Sequence, residues 1–346
     1  RAESKSRGKL RGLGFAYYME SCGMGPSKLL NEQGCRAGQY EVGTVRVNPT
    51  GSVTVLTGSH SHGQGHETVY AQIVADALGV PFDQIEIAHG DTDRVPYGIG
   101  TYGSRSIAVG GSAMKLSIDK VIEKGRKIAS HLLEADVLDI RFEGGAYTVI
   151  GTDRSVTFKT VAGAAYNPIA FSPTEIEPGL EETTYFDPPD FTFPYGVHIC
   201  EIEIDPETGK IDILALAAVD DFGNQMNPMI VAGQIHGGLA QGVGQGMFEH
   251  CVYDDASGQL LTGSLMDYAL PRADDLPAMR IESLTTPCKN NPLGVKGCGE
   301  AGAIAGPAAL VSAVLHALQP LGVTTIDMPV TSEKVWRACT GAMQSE

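Results

Sequence analysis

No C-x-x-C pair occurs anywhere in the 346 residues. Its absence removes the commonest spacing for iron–sulfur, structural zinc and dithiol redox centres. The seven cysteines (Cys22, Cys35, Cys200, Cys251, Cys288, Cys298 and Cys339) are scattered and odd in number. That points to reduced thiols and a cytoplasmic setting rather than a disulfide framework. Positive charge is scarce too: 25 Lys and Arg stand against 41 Asp and Glu, a net charge of −16, and the densest basic run is only Lys124–Lys127. So acidic a chain repels nucleic acid and anionic membrane surfaces, and neither is expected as a partner. No apolar run approaches the roughly 18 residues of a membrane span, so none is expected.

What is abundant is glycine: 43 residues, well above the usual share of roughly 7%. Glycine marks tight turns and places where backbone approaches backbone or ligand. Its distribution matters more than its number. Alternating residues at Glu41–Val47 and Ser52–Thr57 flank an Asn48-Pro49-Thr50-Gly51 turn, a hairpin pattern. The Gly/His stretch "GSHSHGQGHET" (58–68) follows, and then apolar residues at helical spacing from Val69 to Leu78, ended by Gly79. A short strand is expected at 85–88. A second Gly-rich loop (97–113) leads into a helix over about 112–135, and a hairpin is expected near 139–150.

The second half repeats this order. Strands at 198–204 and 211–219 flank the turn Asp205–Gly209, and Asn227-Pro228 caps a Gly-rich helix to about 249. A final apolar helix runs from Pro307 to Leu318. Hairpin, loop and helix used twice predict an α+β fold of two antiparallel-sheet subdomains packed with helices, 1–165 and 197–346, joined by an irregular Pro-rich linker at 166–196. "GQGHE" (63–67) and "GQGMFEH" (244–250) hint at a repeat.

His60, His62, His66 and Glu67 could ligate zinc, but there is no H-E-x-x-H, and the flanking glycines would leave such ligands loosely fixed. The alternative is a cradle. Gly63 and Gly65 let the backbone come close to a ligand, Gln64 offers donor and acceptor to a heterocycle, and the helix start near His66 presents free N–H groups. Gly103, Ser104, Arg105 and Ser106 form a second candidate contact, Arg105 being a fork suited to phosphate. Gly237, Gly238, Gly242 and Gly244 each weaken their helix by about 1 kcal/mol relative to Ala, so a packed neighbour or a ligand must offset them. Glu300, flanked by Gly297, Gly299 and Gly302, is a carboxylate with little local packing that can be presented to a cavity as a general base, with Lys296 as its partner or as a ligand contact.

Four stretches, "GQGHETVYAQIVADALGVPFDQIEIAHGDTDRVPYGIGTYGSRS" (63–106), "GQIHGGLAQGVGQ" (233–245), "MDYALPRADDLP" (266–277) and "NPLGVKGCGEAGAIAGPAALVSAVLHAL" (291–318), resemble the xanthine oxidase family of molybdenum hydroxylases, in its carbon monoxide dehydrogenase-like branch. The likeness covers roughly 8–337 and only the C-terminal part of such a large subunit, as in a separate subunit or a fragment. It implies the family's molybdopterin-binding fold and molybdenum on molybdopterin cytosine dinucleotide, held by the cofactor and not by protein side chains. Gln64, Gly65, His66 and Gln241 match pterin contacts, Gly103 to Ser106 match a dinucleotide contact, and Lys296 and Gly297 flank Glu300, which matches the catalytic glutamate. The resemblance further implies an N-terminal half of the subunit, an iron–sulfur subunit and a flavin subunit carrying FAD as partners. Carbon monoxide oxidisers of this branch have Ser-Pro after that glutamate. Ala301-Gly302 here implies the second form, with aldehydes or N-heteroaromatics as substrates.

Overall fold

Ten residues near the N-terminus alternate between packed and outward-facing positions, and they set the layout of the second half of the molecule. In a computed structural model, which describes residues 1–167, 169 and 171–341, a short helix α1 (Ala2–Ser6) leads into this strand, β1 (Leu10–Met19). Positions 168 and 170 of the expected linker and 342–346 of the second subdomain lie outside the described residues. After helix α2 (Ser27–Glu32) comes the hairpin β2 (Glu41–Val47) and β3 (Val53–Thr57), then α3 (His66–Leu78) and β4 (Ile85–Ala88). A π-type turn at Ser106–Gly111 opens α4 (Ser112–Leu133), followed by β5 (Ile140–Glu143), β6 (Ala146–Val149), β7 (Ser155–Thr157) and α5 (Phe158–Tyr166). The remainder is β8 (Glu181–Phe186), β9 (Tyr195–Ile204), β10 (Ile211–Asp221), α6 (Pro228–Val243), β11 (Met279–Leu284), α7 (Ala301–Leu318) and α8 (Ser332–Thr340).

The fold is α+β, with both hairpins and the helices after them where the alternation and apolar spacing put them. Two four-stranded sheets, β4-β3-β2-β8 and β1-β9-β10-β11, accompany a three-stranded meander β5-β6-β7. The sheets are antiparallel-rich as expected, with β3–β4 and β10–β11 the parallel pairs among the named strands. Three expectations need correcting. First, β1 pairs antiparallel with β9 from Leu10↔Ile204 to Met19↔Tyr195, so residues 10–19 belong to the second sheet and not to a first subdomain ending at 165. Second, the expected linker contains β8, which pairs with β2. Third, "GQGHE" opens α3 whereas Gly244–Phe248 is a π-type turn closing α6, so the two stretches are not equivalent repeats.

One core lies between the first sheet and α3, α4 and α5, built from Val45, Val55, Val74, Leu78, Met114, Ile118 and Phe158. A second lies between the β1-β9-β10-β11 sheet and α7, with Ile202, Leu216, Leu310, Val314 and Leu318. Helix α7 starts at Ala301, six residues before the expected Pro307, which sits inside it. With its continuation to Leu321 it is long and apolar enough to cross a membrane, yet it is a core helix, most of it buried. It lies against β1 at backbone contact: a Cβ at Gly14 would stand 2.1 Å from the Ala309 carbonyl oxygen and one at Gly12 1.9 Å from that of Ala313. The same device joins α6 to α7, where Gly238 faces Gly302. Close packing therefore accounts for Gly238 and Gly242, while Gly233 and Gly237 face open space.

The opposite face of β1 is apolar and bare. Leu13, Phe15, Tyr17 and Met19 are 51–81% exposed, beside Val197 and Ile199 of β9. Because α7 can move off β1 only by giving up its own core contacts, Gly14→Val is expected to destabilise the fold by about 1–3 kcal/mol or more, read as a lowered unfolding midpoint.

Candidate active site

The histidines of the Gly/His loop do not converge. His60 packs edge-on against His62 and His89 at centroid distances of 4.8 and 5.3 Å, and His89 takes Glu67 at 2.8 Å. His66 instead stacks on Tyr70 at 5.7 Å. Among the described residues no three His, Cys, Asp or Glu side chains are grouped to hold a metal ion, so the zinc alternative has no ligand set.

The Gly-rich stretches do converge, on one cavity of about 320 Å3. Gln64 and His66 line it from the first loop. Thr101 to Ile107 line it from the second, with Arg105 left out. The segment before α6 brings Phe222 and Asn224–Asn227, and α6 itself brings Ile230, Val231 and Gln234. Val295 to Glu300 close the wall. The loops touch at backbone level: a Cβ at Gly297 would stand 2.1 Å from the carbonyl oxygen of Ser104. Ser104 adopts φ +51, an uncommon conformation for a residue with a side chain. From there its hydroxyl donates to Glu300 Oε2 at 2.7 Å. Glu300 occupies the residue just before α7 and is exposed.

The other candidates divide. Gly65, at φ +77, turns the chain into α3, and His66 is the first residue of that helix. Burial lowers the His66 pKa to about 4, and its Nδ1 is buried without a partner, a free polar atom in the cavity wall. The Gln64 side-chain oxygen accepts from the backbone N–H of His62. Ser106 is buried, its hydroxyl hydrogen-bonded with that of Thr101 at 2.8 Å.

Three expectations change. Arg105 is not a free fork for phosphate. Its side chain is wholly buried, Nη1 meets Glu41 Oε2 at 2.8 Å and the Gly100 carbonyl at 2.9 Å, and Nη2 donates to the Gln39 carbonyl at 2.9 Å. Burial pushes the Glu41 carboxyl up while Arg105 pulls it back. Lys296 is not the partner of Glu300: its ammonium is held by Asp221 at 2.7 Å, over the Tyr195 ring. Gln241 is exposed two helical turns, about 10 Å, beyond Gln234, and it is Gln234 that lines the cavity. Sequence reasoning missed Glu20, whose carboxyl burial pushes up to about 7, with Glu300 adding to the rise and Ser104 opposing it, although the alternation of "LRGLGFAYYME" was a usable strand signal.

Two variants test this arrangement. Arg105→Met, which leaves Glu41 buried and unpaired, is expected to cost about 3–5 kcal/mol in denaturant unfolding, and adding Glu41→Leu should recover much of it. The lowered His66 pKa means that, between pH 6.5 and about 4, the unfolded chain binds a proton that the folded chain refuses. Stability should therefore fall with pH across that window, and less steeply in His66→Gln, as unfolding midpoints at the two ends of the window would report.

Comparison with known proteins gives a consistent picture. The profile of the family described as "Molybdopterin cofactor-binding domain" matches residues 1–277. The carbon monoxide dehydrogenase large chain of Hydrogenophaga pseudoflava is 41% identical over 329 residues, 95% of this chain and 40% of its own length. The nicotine 6-hydroxylase large subunit of Paenarthrobacter nicotinovorans is 39% identical over 340 residues, 98% of this chain and 41% of its own. The crystal structure of quinoline 2-oxidoreductase from Pseudomonas putida 86 superposes with a TM-score of 0.91 at 42% identity, covering 98% of this chain and 43% of that one. The chain thus spans about two fifths of the length of the curated relatives it matches.

Proposed function

Because the chain belongs to the molybdopterin cofactor-binding domain family, among the molybdenum hydroxylases of the xanthine oxidase family, we propose that it is the base-bearing part of a hydroxylase large subunit. Its substrate would be an electron-poor carbon, in an aldehyde or an N-heteroaromatic ring, oxidised with oxygen from water. The observation that carries this is the meeting of all the Gly-rich loops at one cavity with Glu300 on its wall. Two relatives named for nicotine and quinoline, both N-heteroaromatic, favour the ring substrate. Carbon monoxide is the second reading, favoured by the relative of that name and opposed by Ala301-Gly302 in place of Ser-Pro.

The cavity fits a pterin. It combines apolar walls with the unpartnered His66 Nδ1 and the side chains of Gln64, Gln234 and Asn224. Gln64, His66 and Gln234, with the backbone at Gly65, Gly103 and Gly297, would hold the cofactor, in its cytosine dinucleotide form. Ser104 and Ser106 would stand by the dinucleotide loop. The bound molybdenum cofactor supplies the two-electron oxidation, and the protein supplies position and a proton acceptor. Glu300, oriented by the Ser104 hydroxyl, takes up the proton on its carboxylate. Lys296 and Asp221 stiffen the wall behind it.

The bare apolar face of β1 and β9 supports docking of further large-subunit chain, and electrons would leave through iron–sulfur and flavin subunits. Seven unpaired thiols fit a reducing, cytoplasmic setting. In the complete enzyme, Glu300→Gln is expected to lower turnover by about 10²–10⁴-fold with molybdenum content unchanged, by elemental analysis. Molybdenum loss with normal turnover per metal would remove Glu300 from the role of base.

A further inference from the structure

With a cofactor held by Gln64, His66 and Gln234, a substrate is left the part of the cavity nearest solvent. Among the residues lining the cavity, Tyr102, Gly299 and Glu300 are the exposed ones. A molecule that enters and meets Glu300 therefore also meets the ring of Tyr102. The two are tied through one loop, because Ser104, two residues after Tyr102, donates its hydroxyl to Glu300 Oε2 at 2.7 Å. The cavity's other carbocyclic rings offer no such face: Tyr70 and Phe222 are each 1% exposed, against 44% for Tyr102.

The Tyr102 ring is also held in place. Its hydroxyl donates to Gln39 Oε1 at 3.2 Å. Gln39 is buried, and its amide nitrogen is committed to the Ala37 carbonyl and to Cys35 Sγ, both at 3.1 Å, which leaves the oxygen to accept. The Arg105 guanidinium lies over the ring, 5.7 Å from its centroid, and is itself fixed by Glu41. Beside the ring, the Gly103 carbonyl accepts the Gly23 N–H at 3.1 Å, and a Cβ at Gly103 would stand 2.8 Å from the Met24 side chain. An aromatic ring ordered before its ligand arrives gives contact area at little further cost in entropy. Offset stacking on it needs a flat π-system, which an open-chain aldehyde lacks.

We propose that Tyr102 is the specificity-determining residue of this site: its open ring face stacks on a flat aromatic substrate and sets that ring beside Glu300, so that the site favours N-heteroaromatic rings over open-chain aldehydes. This deepens the function proposed above, and rests on it in taking the cofactor to fill the inner cavity and the reacting carbon to lie at Glu300.

The test uses the complete enzyme and two neutral probes of equal ring size, pyridine-3-carboxamide, which is flat, and cyclohexanecarboxamide, which is puckered. By calorimetry the parent should bind the flat amide more tightly. Tyr102→Phe should keep that preference, and Tyr102→Leu should reduce it about 3–10-fold, the worth of one aromatic pair, at equal molybdenum content. With 3-fluorotyrosine in the parent, the fluorine signal that Tyr102→Phe lacks should shift on adding the flat amide and stay still on adding the puckered one. A parent that binds neither amide or both alike, a Tyr102→Leu variant that keeps the preference, or a fluorine signal indifferent to the flat amide overturns the proposal. So does loss of molybdenum from a folded Tyr102→Leu, which would set the ring against the cofactor instead. The fluorine spectrum decides the matter even if Tyr102→Leu fails to fold. These readouts report binding alone, so normal turnover in Glu300→Gln would sink the base assignment and leave the stacking result standing.

Discussion

The site is organised around one buried ion pair. Arg105 and Glu41 have no exposed side-chain surface, and the guanidinium also gathers the Gly100 and Gln39 carbonyls. These contacts anchor the loop that runs from Tyr97 to Ser106 on the first residue of β2. Ser104, the neighbour of Arg105, can then be held at positive φ with its hydroxyl on Glu300. A buried pair of this kind adds little net stability over apolar residues of the same volume. Its effect here is geometric: no apolar pair could tie the Gly100 carbonyl of one stretch to the Gln39 carbonyl and Glu41 carboxylate of another. Arg105 thus serves the site by facing away from it.

The cavity in turn depends on backbone meeting backbone. Gly297 against Ser104, Gly238 against Gly302 and Gly14 against Ala309 bring together loops and helices that ordinary side chains would hold apart. The last two contacts fix α7, and with it the position of Glu300 at its start. Much of the chain's glycine is therefore a packing requirement, whereas Gly233 and Gly237 on the outward stripe of α6, and positive-φ turn glycines such as Gly63 and Gly100, face open space.

Elements whose cause is local were legible in the sequence. The β2–β3 hairpin follows from period-two alternation about Asn48–Gly51, and α6 from its Asn227 cap and Pro228. What was not legible is what distant residues decide. Nothing within 1–38 says that its alternating decapeptide pairs with residues 195–204, and nothing in the proline-rich stretch says that 181–186 finds β2. Glu300 stood out because glycines surround it, but Glu20 gains its meaning only from a loop 84 residues away and another 280 away. Arg105 and Lys296 read as ligand contacts because a basic side chain in a Gly-rich loop looks the same whether it meets phosphate or a buried carboxylate. Glu41 and Asp221 decide, and neither is near in sequence.

The pairing of β1 with β9 has a consequence for biogenesis. Residues 10–19 leave the ribosome long before 195–204 exist. At roughly 5–20 residues per second, the strand waits on the order of ten to forty seconds for its partner. Throughout that time it carries apolar side chains on its outer face and a glycine-lined inner face made for a helix, α7, synthesised later still. The first sheet has no such delay, except at its β8 edge. β1, made well before the strand and the helix it packs against, is therefore placed later than the β2–β3 hairpin that follows it. A nascent-chain chaperone would find its natural substrate in those ten residues.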